Sequence, residues 1–298
     1  MNLLLGGETL DFTANVGVYS IIWLSLGVFI GYLCSFYHRN KNSDVPQYKT
    51  DLVSKTSLNA SELSTTNSNG PKHIAVIMDG NRRYGRKKHN DPLRGHWDGG
   101  QTLVNFCDWC AKDGVKQLTV YAFSTENWGR DKIEVDTLMS IFSKYAEKMR
   151  VEAISRNVCV RIITTDNSRL TGAVKESIDA LESSTKHCDG FIVNICLSYG
   201  SRGEIVNACQ SIVNDSINGN LSNNEPITEE IFSKYLKAKD EPDILIRTSG
   251  EYRISNFLLW QLAYTEMFFI DKYWPEITQL DIKQIIKEYQ DRKRRFGL

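Results

Sequence analysis

The sequence predicts an α/β protein, a mainly parallel central sheet with helices on both faces, preceded by one transmembrane helix. Three observations lead there. An uncharged apolar run lies near the start of the chain and a polar stretch follows it. From Pro71 onward, short β-rich runs then alternate with longer segments of helical period.

The apolar run is Val16 to Tyr37, "VGVYSIIWLSLGVFIGYLCSFY", which contains no charged residue. As a helix it can cross roughly 30 Å of hydrocarbon, and Tyr19, Trp23, Tyr32 and Tyr37 are available as interfacial aromatics. A cleaved signal peptide is the competing reading, but Glu8 and Asp11 stand where a basic region would be needed. His38, Arg39 and Lys41 follow the run, so the basic-side preference places the rest of the chain in the cytosol. We therefore expect a short segment over 1–15, an anchor over 16–37 and a flexible Ser/Thr/Asn-rich linker over 38–70. A domain over 71–298 completes the chain.

In that domain "HIAVIM", "QLTVYAF", "CVRIITT", "FIVNICL" and "DILIRT" read as strands. Glu134 to Arg156, Ser168 to Lys186 and Ser201 to Ile217 read as helices between them. Strand and helix in alternation imply right-handed crossovers and a mainly parallel sheet. The formal net charge is +0, so nothing draws the chain as a whole to nucleic acid and any anion site must be local. Seven cysteines without regular spacing suggest reduced thiols. Cys107-x-x-Cys110 lies in a helical stretch with no second ligand pair at zinc spacing, and reads as packing.

Unusual polar residues gather where the strands end. Asp79 follows the first run; Ser124, Glu126, Asn127 and Trp128 follow the second; Tyr199 to Arg202 follow the fourth; Arg247 to Ser249 end the fifth. Ligands of open parallel sheets bind at the carboxyl ends of strands. Two clusters rich in arginine and glycine stand at that edge. Arg82, Arg83 and Arg86 with Gly80 and Gly85 form one, and Arg247 and Arg253 with Ser249, Gly250 and Ser255 form the other. Guanidinium forks and unobstructed backbone N–H groups suit phosphates, so two polyanionic groups are expected. Asp79 would repel a phosphate unless a hard cation lay between them, which points to Mg²⁺. The alternative is a simple ion pair of Asp79 with Arg82 or Arg83.

The segments "HIAVIMDGNRRYGR", "GH" at Gly95 and His96, "VYAFSTENWGR", "NICLSYGSRGEI", "DILIRTSGEYRISNFLLWQLAYTEMFF" and "RRFG" resemble, in order and spacing, the signatures of cis-prenyltransferases. These are the undecaprenyl and dehydrodolichyl diphosphate synthases. The resemblance covers about residues 71 to 298, and the DDxxD of the all-helical trans-type synthases is absent. It implies that Asp79, Asn127 and Arg83 are catalytic. Gly80, Asn81, Arg82, Arg83 and His96 would bind the allylic diphosphate, and Ser124, Glu126, Trp128 and Arg130 would belong to a region that closes over it. It further implies that Arg247, Arg253, Ser255, Arg295 and Gly297 bind isopentenyl diphosphate, and that Asp79 and Glu266 hold Mg²⁺.

By the same resemblance, farnesyl diphosphate would be elongated to a long polyprenyl diphosphate, a precursor of dolichol, at the endoplasmic reticulum membrane. The tail motif Arg295-Phe296-Gly297 would reach into a neighbouring subunit of a homodimer. A non-catalytic partner subunit is the alternative, but such subunits lack the aspartate and most of the arginines present here. The chain departs from the family pattern at Pro92, with Arg94 as a possible stand-in for an arginine, and at Tyr252. Met139, Phe142, Tyr145 and Met149 share a helical face that suits either core or a hydrocarbon tunnel. Phe191 and Ile192 are further candidates for the tunnel floor.

Overall fold

The computed structural model describes residues 70–221 and 226–292. The expected N-terminal segment, anchor and all but the last residue of the linker lie outside them, as do Arg295 and Gly297. Among the described residues no helix is long and apolar enough to cross a membrane.

The elements run β1 (His73–Ile77), α1 (Asn81–His89), α2 (Arg94–Lys112), β2 (Gln117–Ser124), a 3-10 turn (Thr125–Gly129), α3 (Lys132–Ser155), β3 (Val158–Ile163), α4 (Gly172–Thr185) and β4 (Phe191–Tyr199). α5 (Ser201–Ile217), α6 (Glu229–Tyr235), β5 (Ile244–Thr248), β6 (Glu266–Ile270), a second 3-10 turn (Trp274–Glu276) and α7 (Gln279–Asp291) follow. The strands form one sheet in the order β3-β4-β2-β1-β5-β6, and every pairing is parallel. β1 and β5 are buried at every residue, because helices and loops cover a parallel sheet on both sides and leave no solvent face to alternate with.

On one face Ile74, Val76, Leu118, Val120, Val193 and Ile195 pack with Phe106 of α2, Ala146 and Ala153 of α3, Leu181 of α4 and Ile282, Ile285 and Ile286 of α7. On the other, Ala75, Ile77, Cys196, Tyr199 and Leu245 pack beneath Phe257, Leu258 and Leu262. Buried Glu204 of α5 fastens that second layer. It accepts hydrogen bonds from Tyr199 Oη at 2.6 Å and from the backbone N–H groups of Lys237 and Ala238 at 2.9 and 2.7 Å. His73 opens β1, accepting from Thr119 through Nε2 at 2.7 Å while Nδ1–H donates to the Glu241 carbonyl at 3.1 Å. The five expected strands are all present. α1, α6 and β6, a short edge strand, were not expected.

Candidate active site

Parallel register brings the ends of β1, β2, β4 and β5 to one edge, and the loops there enclose an open cavity of about 760 Å³. β1 ends in Asp79-Gly80, and α1 begins at once. Gly80 has φ +97°, and a Cβ there would lie 2.0 Å from Ser249 Oγ, so both backbone sign and space require glycine. Opposite, Ser249, Ser255 and Asn256 hold φ values of 78°, 48° and 62°, left-handed conformations that non-glycine residues adopt at a cost and that cluster at functional sites.

Asp79 is the hub. Its Oδ1 accepts from Gly80 N–H at 2.7 Å and Arg83 Nη2 at 3.2 Å, and its Oδ2 accepts from Arg247 Nη2 at 2.8 Å. Burial pushes the carboxyl pKa up, but the Arg247 hydrogen bond and the charges of Arg247 and Arg83 outweigh it, so the group is held below the ordinary carboxylate range. Arg247 is only 3% exposed and also donates through Nη1 to Ser255 Oγ at 2.8 Å and to the Arg253 carbonyl. The second Nη of Arg83 meets Glu251 at 3.1 Å, and Glu251 in turn pairs with Arg253. Arg83 of one cluster and Arg247 and Arg253 of the other thus form one network about Asp79, while Arg82 pairs with Glu134. The sequence reading offered Arg82 or Arg83 as the ion-pair partner of Asp79; Arg83 is one, and Arg247 is the other.

Gly80, Asn81, Arg82, Arg83, Arg86, His96, Ser124, Glu126, Asn127, Arg130, Arg247, Arg253 and Ser255 all line the cavity. The Asn127 side chain accepts from Ser124 N–H at 3.1 Å and so fixes the turn after β2. Glu126 accepts from Asn256 at 2.9 Å, tying that turn to the loop after β5. Burial and the charges of Arg130 and Arg82 push the His96 pKa down to about 4, against the pull of Glu134, so the imidazole is neutral at pH 7. Among the described residues, the buried side-chain atoms that lack a hydrogen-bond partner include Asn81 Oδ1, His96 Nε2, Arg247 Nε and Ser249 Oγ. Their concentration at this edge marks a site built for a polar ligand, since such atoms are costly where nothing ever binds.

Three of the residues singled out from the sequence lie away from the cavity wall. Glu266 opens β6 and pairs in register with Ile244, at the amino end of β5, where Arg292 binds its carboxylate. Within one chain it does not join Asp79, because parallel pairing sets the first residue of β6 at the far end of the sheet. Trp128 is absent from the cavity wall; its Nε1–H donates to Ser198 Oγ at 2.8 Å and its ring packs edge-on against Phe123. Arg94 is exposed and does not reach the cavity, whereas Arg86 does. Tyr252 packs against Phe269, with ring centroids 5.2 Å apart.

Beneath the polar cavity lies an apolar pocket of about 130 Å³. Met139, Phe142, Tyr145 and Met149 of α3 face it together with Leu103, Leu181 and Ile195, so the undecided helical face belongs to a pocket. Phe191 packs in the core, and neither it nor Ile192 lines the pocket. The two spaces share the wall formed by Met78, Asn81, His96, Tyr121, Ala122 and Leu138. The sequence reading missed Glu134, which pairs with both Arg82 and Arg130.

Residues 77–297 match the protein family described as "Putative undecaprenyl diphosphate synthase". A tritrans,polycis-undecaprenyl-diphosphate synthase (geranylgeranyl-diphosphate specific) from Pyrococcus furiosus is 45% identical over 230 residues, 76% of this chain and 87% of that protein. An isoprenyl transferase from Fusobacterium nucleatum is 44% identical over 230 residues, 77% of this chain and 96% of that one. Among solved structures, lavandulyl diphosphate synthase from Lavandula x intermedia in complex with dimethylallyl diphosphate superposes with a TM-score of 0.73. It is 31% identical, over 77% of this chain and 99% of that one.

Proposed function

The chain belongs to the cis-prenyltransferase family, an enzyme family, and from that premise we propose that it extends farnesyl diphosphate by successive cis additions of isopentenyl diphosphate to a long polyprenyl diphosphate. The observation that carries this reading is the shared wall, since a charged cavity opening into an apolar pocket matches a substrate with a diphosphate head and a hydrocarbon tail. Gly80, Asn81, Arg82, Arg83 and His96 hold the allylic diphosphate. Arg247, Arg253 and Ser255 hold that of isopentenyl diphosphate. The allylic C–O bond breaks as the diphosphate takes its electrons, the isopentenyl double bond attacks the freed carbon, and a proton is lost to set the new cis double bond.

Mg²⁺ fits the residues present. The ion characteristically takes one or two carboxylates together with substrate phosphate oxygens, and Asp79 offers one carboxylate, kept ionised, at the meeting point of the two arginine clusters. Bound there, it supplies charge neutralisation to the departing diphosphate. Glu266 contributes only from a second subunit, since in its own chain it stands beside Arg292, close in sequence to the tail that carries Arg295 and Gly297. A homodimer that exchanges tails is the form we propose. Mixing Asp79→Ala chains with chains lacking 295–298 should then restore activity to half of the mixed sites. Proven heterodimers that stay inactive would rule out action between subunits.

The apolar run at 16–37 supports a single-pass anchor in the endoplasmic reticulum membrane with a cytosolic catalytic domain, and supports delivery of a long apolar product into the bilayer as a dolichol precursor. A non-catalytic partner role is disfavoured by the complete Asp79–Arg83–Arg247 network. The deciding experiment incubates the full chain with labelled isopentenyl diphosphate, Mg²⁺ and either farnesyl or geranylgeranyl diphosphate, then sizes the extracted product. Long polyprenyl diphosphates from farnesyl diphosphate are expected. No incorporation from either primer would refute the proposal, and use of geranylgeranyl diphosphate alone would correct the primer to the one named for the Pyrococcus furiosus relative.

A further inference from the structure

A glutamate in the first turn of a helix is ordinarily solvated, favouring the helix dipole or reaching back to the N-cap amide. Glu134 stands in the first turn of α3 but is only 4% exposed. Its oxygens are spent elsewhere: Oε2 lies 3.0 Å from Arg82 Nη1, and Oε1 lies 2.8 Å from Arg130 Nη1 and 3.6 Å from His96 Nε2. These partners come from α1, from the end of the first 3-10 turn and from α2, and all three line the polar cavity. Glu134 does not line it. The carboxylate therefore stands behind the groups that a diphosphate would meet.

The arrangement differs from that of the other buried glutamate among the described residues, Glu204, whose partners are Tyr199, two backbone amides and Gln261, and which serves the fold. Glu134 holds two guanidinium groups by one nitrogen each, which leaves the remaining N–H donors of each fork for the cavity. Two such cations drawn together without an anion between them would repel, and each would keep rotamer freedom that a ligand must remove on binding. Glu134 also lies four residues before Leu138, a residue of the wall shared by cavity and pocket, on the helix that carries Met139, Phe142 and Met149.

We propose that Glu134 is a positioning residue that fixes Arg82 and Arg130, beside His96, for the allylic diphosphate and fastens the wall of the apolar pocket to that cradle. The inference rests on the reading of the polar cavity as a diphosphate site. Two variants test it in the full chain. Glu134→Gln keeps the shape and removes the charge, while Glu134→Asp keeps the charge and withdraws it by one methylene. Each should raise the KM for farnesyl diphosphate by about tenfold, as loss of an outer support commonly does, with less than about a twofold change for isopentenyl diphosphate. Each should also broaden the distribution of product lengths.

Tighter binding of farnesyl diphosphate and inorganic pyrophosphate by Glu134→Gln, with Glu134→Asp like wild type, would show a charge effect alone and overturn the proposal. A fall in kcat that tracks lost thermal stability, with no split between the two KM values, would overturn it by making Glu134 merely structural. Should Glu134→Gln fail to fold, Glu134→Asp decides alone, and a wild-type farnesyl KM refutes the proposal. A wild-type chain that consumes no farnesyl diphosphate would instead refute the parent reading before any variant is compared.

Discussion

The polar cavity and the apolar pocket share six wall residues yet are built in opposite ways. The cavity is made at strand ends and in the first turns of helices, from charged side chains held by one another: Asp79 by Arg83 and Arg247, and Glu134 by Arg82 and Arg130. The pocket is made from side chains on the faces of α2, α3, α4 and the sheet, with Asn81 and His96 at its polar rim. Strand β2 serves both, with Ser124 in the cavity, Phe123 in the pocket, and Tyr121 and Ala122 in the shared wall. The difference teaches a division of labour. On the function proposed above, charge stabilisation, and with it rate, would be set in the cavity, while the hydrocarbon, and with it product length, would be accommodated in the pocket. At about 130 Å³ the pocket is small for the long polyprenyl chain proposed as product, so its walls would have to part as such a chain grew.

The largest effect expected is on the cavity side. Asp79→Asn should lower kcat by about a thousandfold or more with a smaller loss of stability than Asp79→Ala, since the amide oxygen can still accept from Arg247 although the counter-charge is gone and the NH2 then faces the Gly80 and Arg83 donors. Asp79→Ala should lose stability as well, by about 3 kcal/mol, because Arg247 is left buried without its counter-ion. Steady-state kinetics with urea unfolding separates the two, and turnover retained by Asp79→Asn would remove Asp79 from the chemistry. Next comes Arg253→Ala. Its side chain is 60% exposed and pairs with Glu251, so it should raise the KM for isopentenyl diphosphate by about tenfold with little loss of stability. A rise in the farnesyl KM instead would show the two diphosphate sites to be exchanged.

A smaller effect separates the regions by pH. His96 is pushed down to about 4, and burial also lowers His73. In the window between the ordinary histidine value near 6.5 and those lowered values, the unfolded chain binds protons that the folded chain does not. Stability is therefore complete above the window and falls as pH drops through it. Asp79, itself lowered, adds a loss only at more acidic pH. Thermal unfolding should show a falling Tm from pH 7 to 5, with a shallower fall in His96→Gln. An unchanged slope in that variant would place the titration elsewhere.

The cavity was legible because arginine, asparagine and aspartate at the end of a β-run are poor choices for an ordinary turn, and parallel strands deliver their ends to one edge. The pocket was not. Met139, Phe142, Tyr145 and Met149 are the same kinds of residue at the same spacing as a core face, and only the neighbouring helices decide whether space is left in front of them. Where Glu266 stands in the sheet was not legible, because β6 is a five-residue edge strand inside a long apolar stretch, and its register with β5 fixes which end of the sheet its first residue occupies. Glu134 entered the sequence reading only as the first residue of a helical stretch. Its partners Arg82 and His96 lie on two earlier helices, a proximity that no local pattern encodes.

The division of labour is tested most directly by a substitution in the pocket that leaves the cavity alone. Ala146 lies on α3, is 3% exposed and lines the pocket but not the cavity. Ala146→Leu should cost about 1–3 kcal/mol of stability by overpacking. Chromatographic sizing of its products, alongside the rate of the first condensation, is the measurement. Shorter products, formed at a first-condensation rate within about twofold of wild type, are expected, since the charged groups proposed to set that rate are untouched. Products of unchanged length, or a slowed first step with length preserved, would contradict that division.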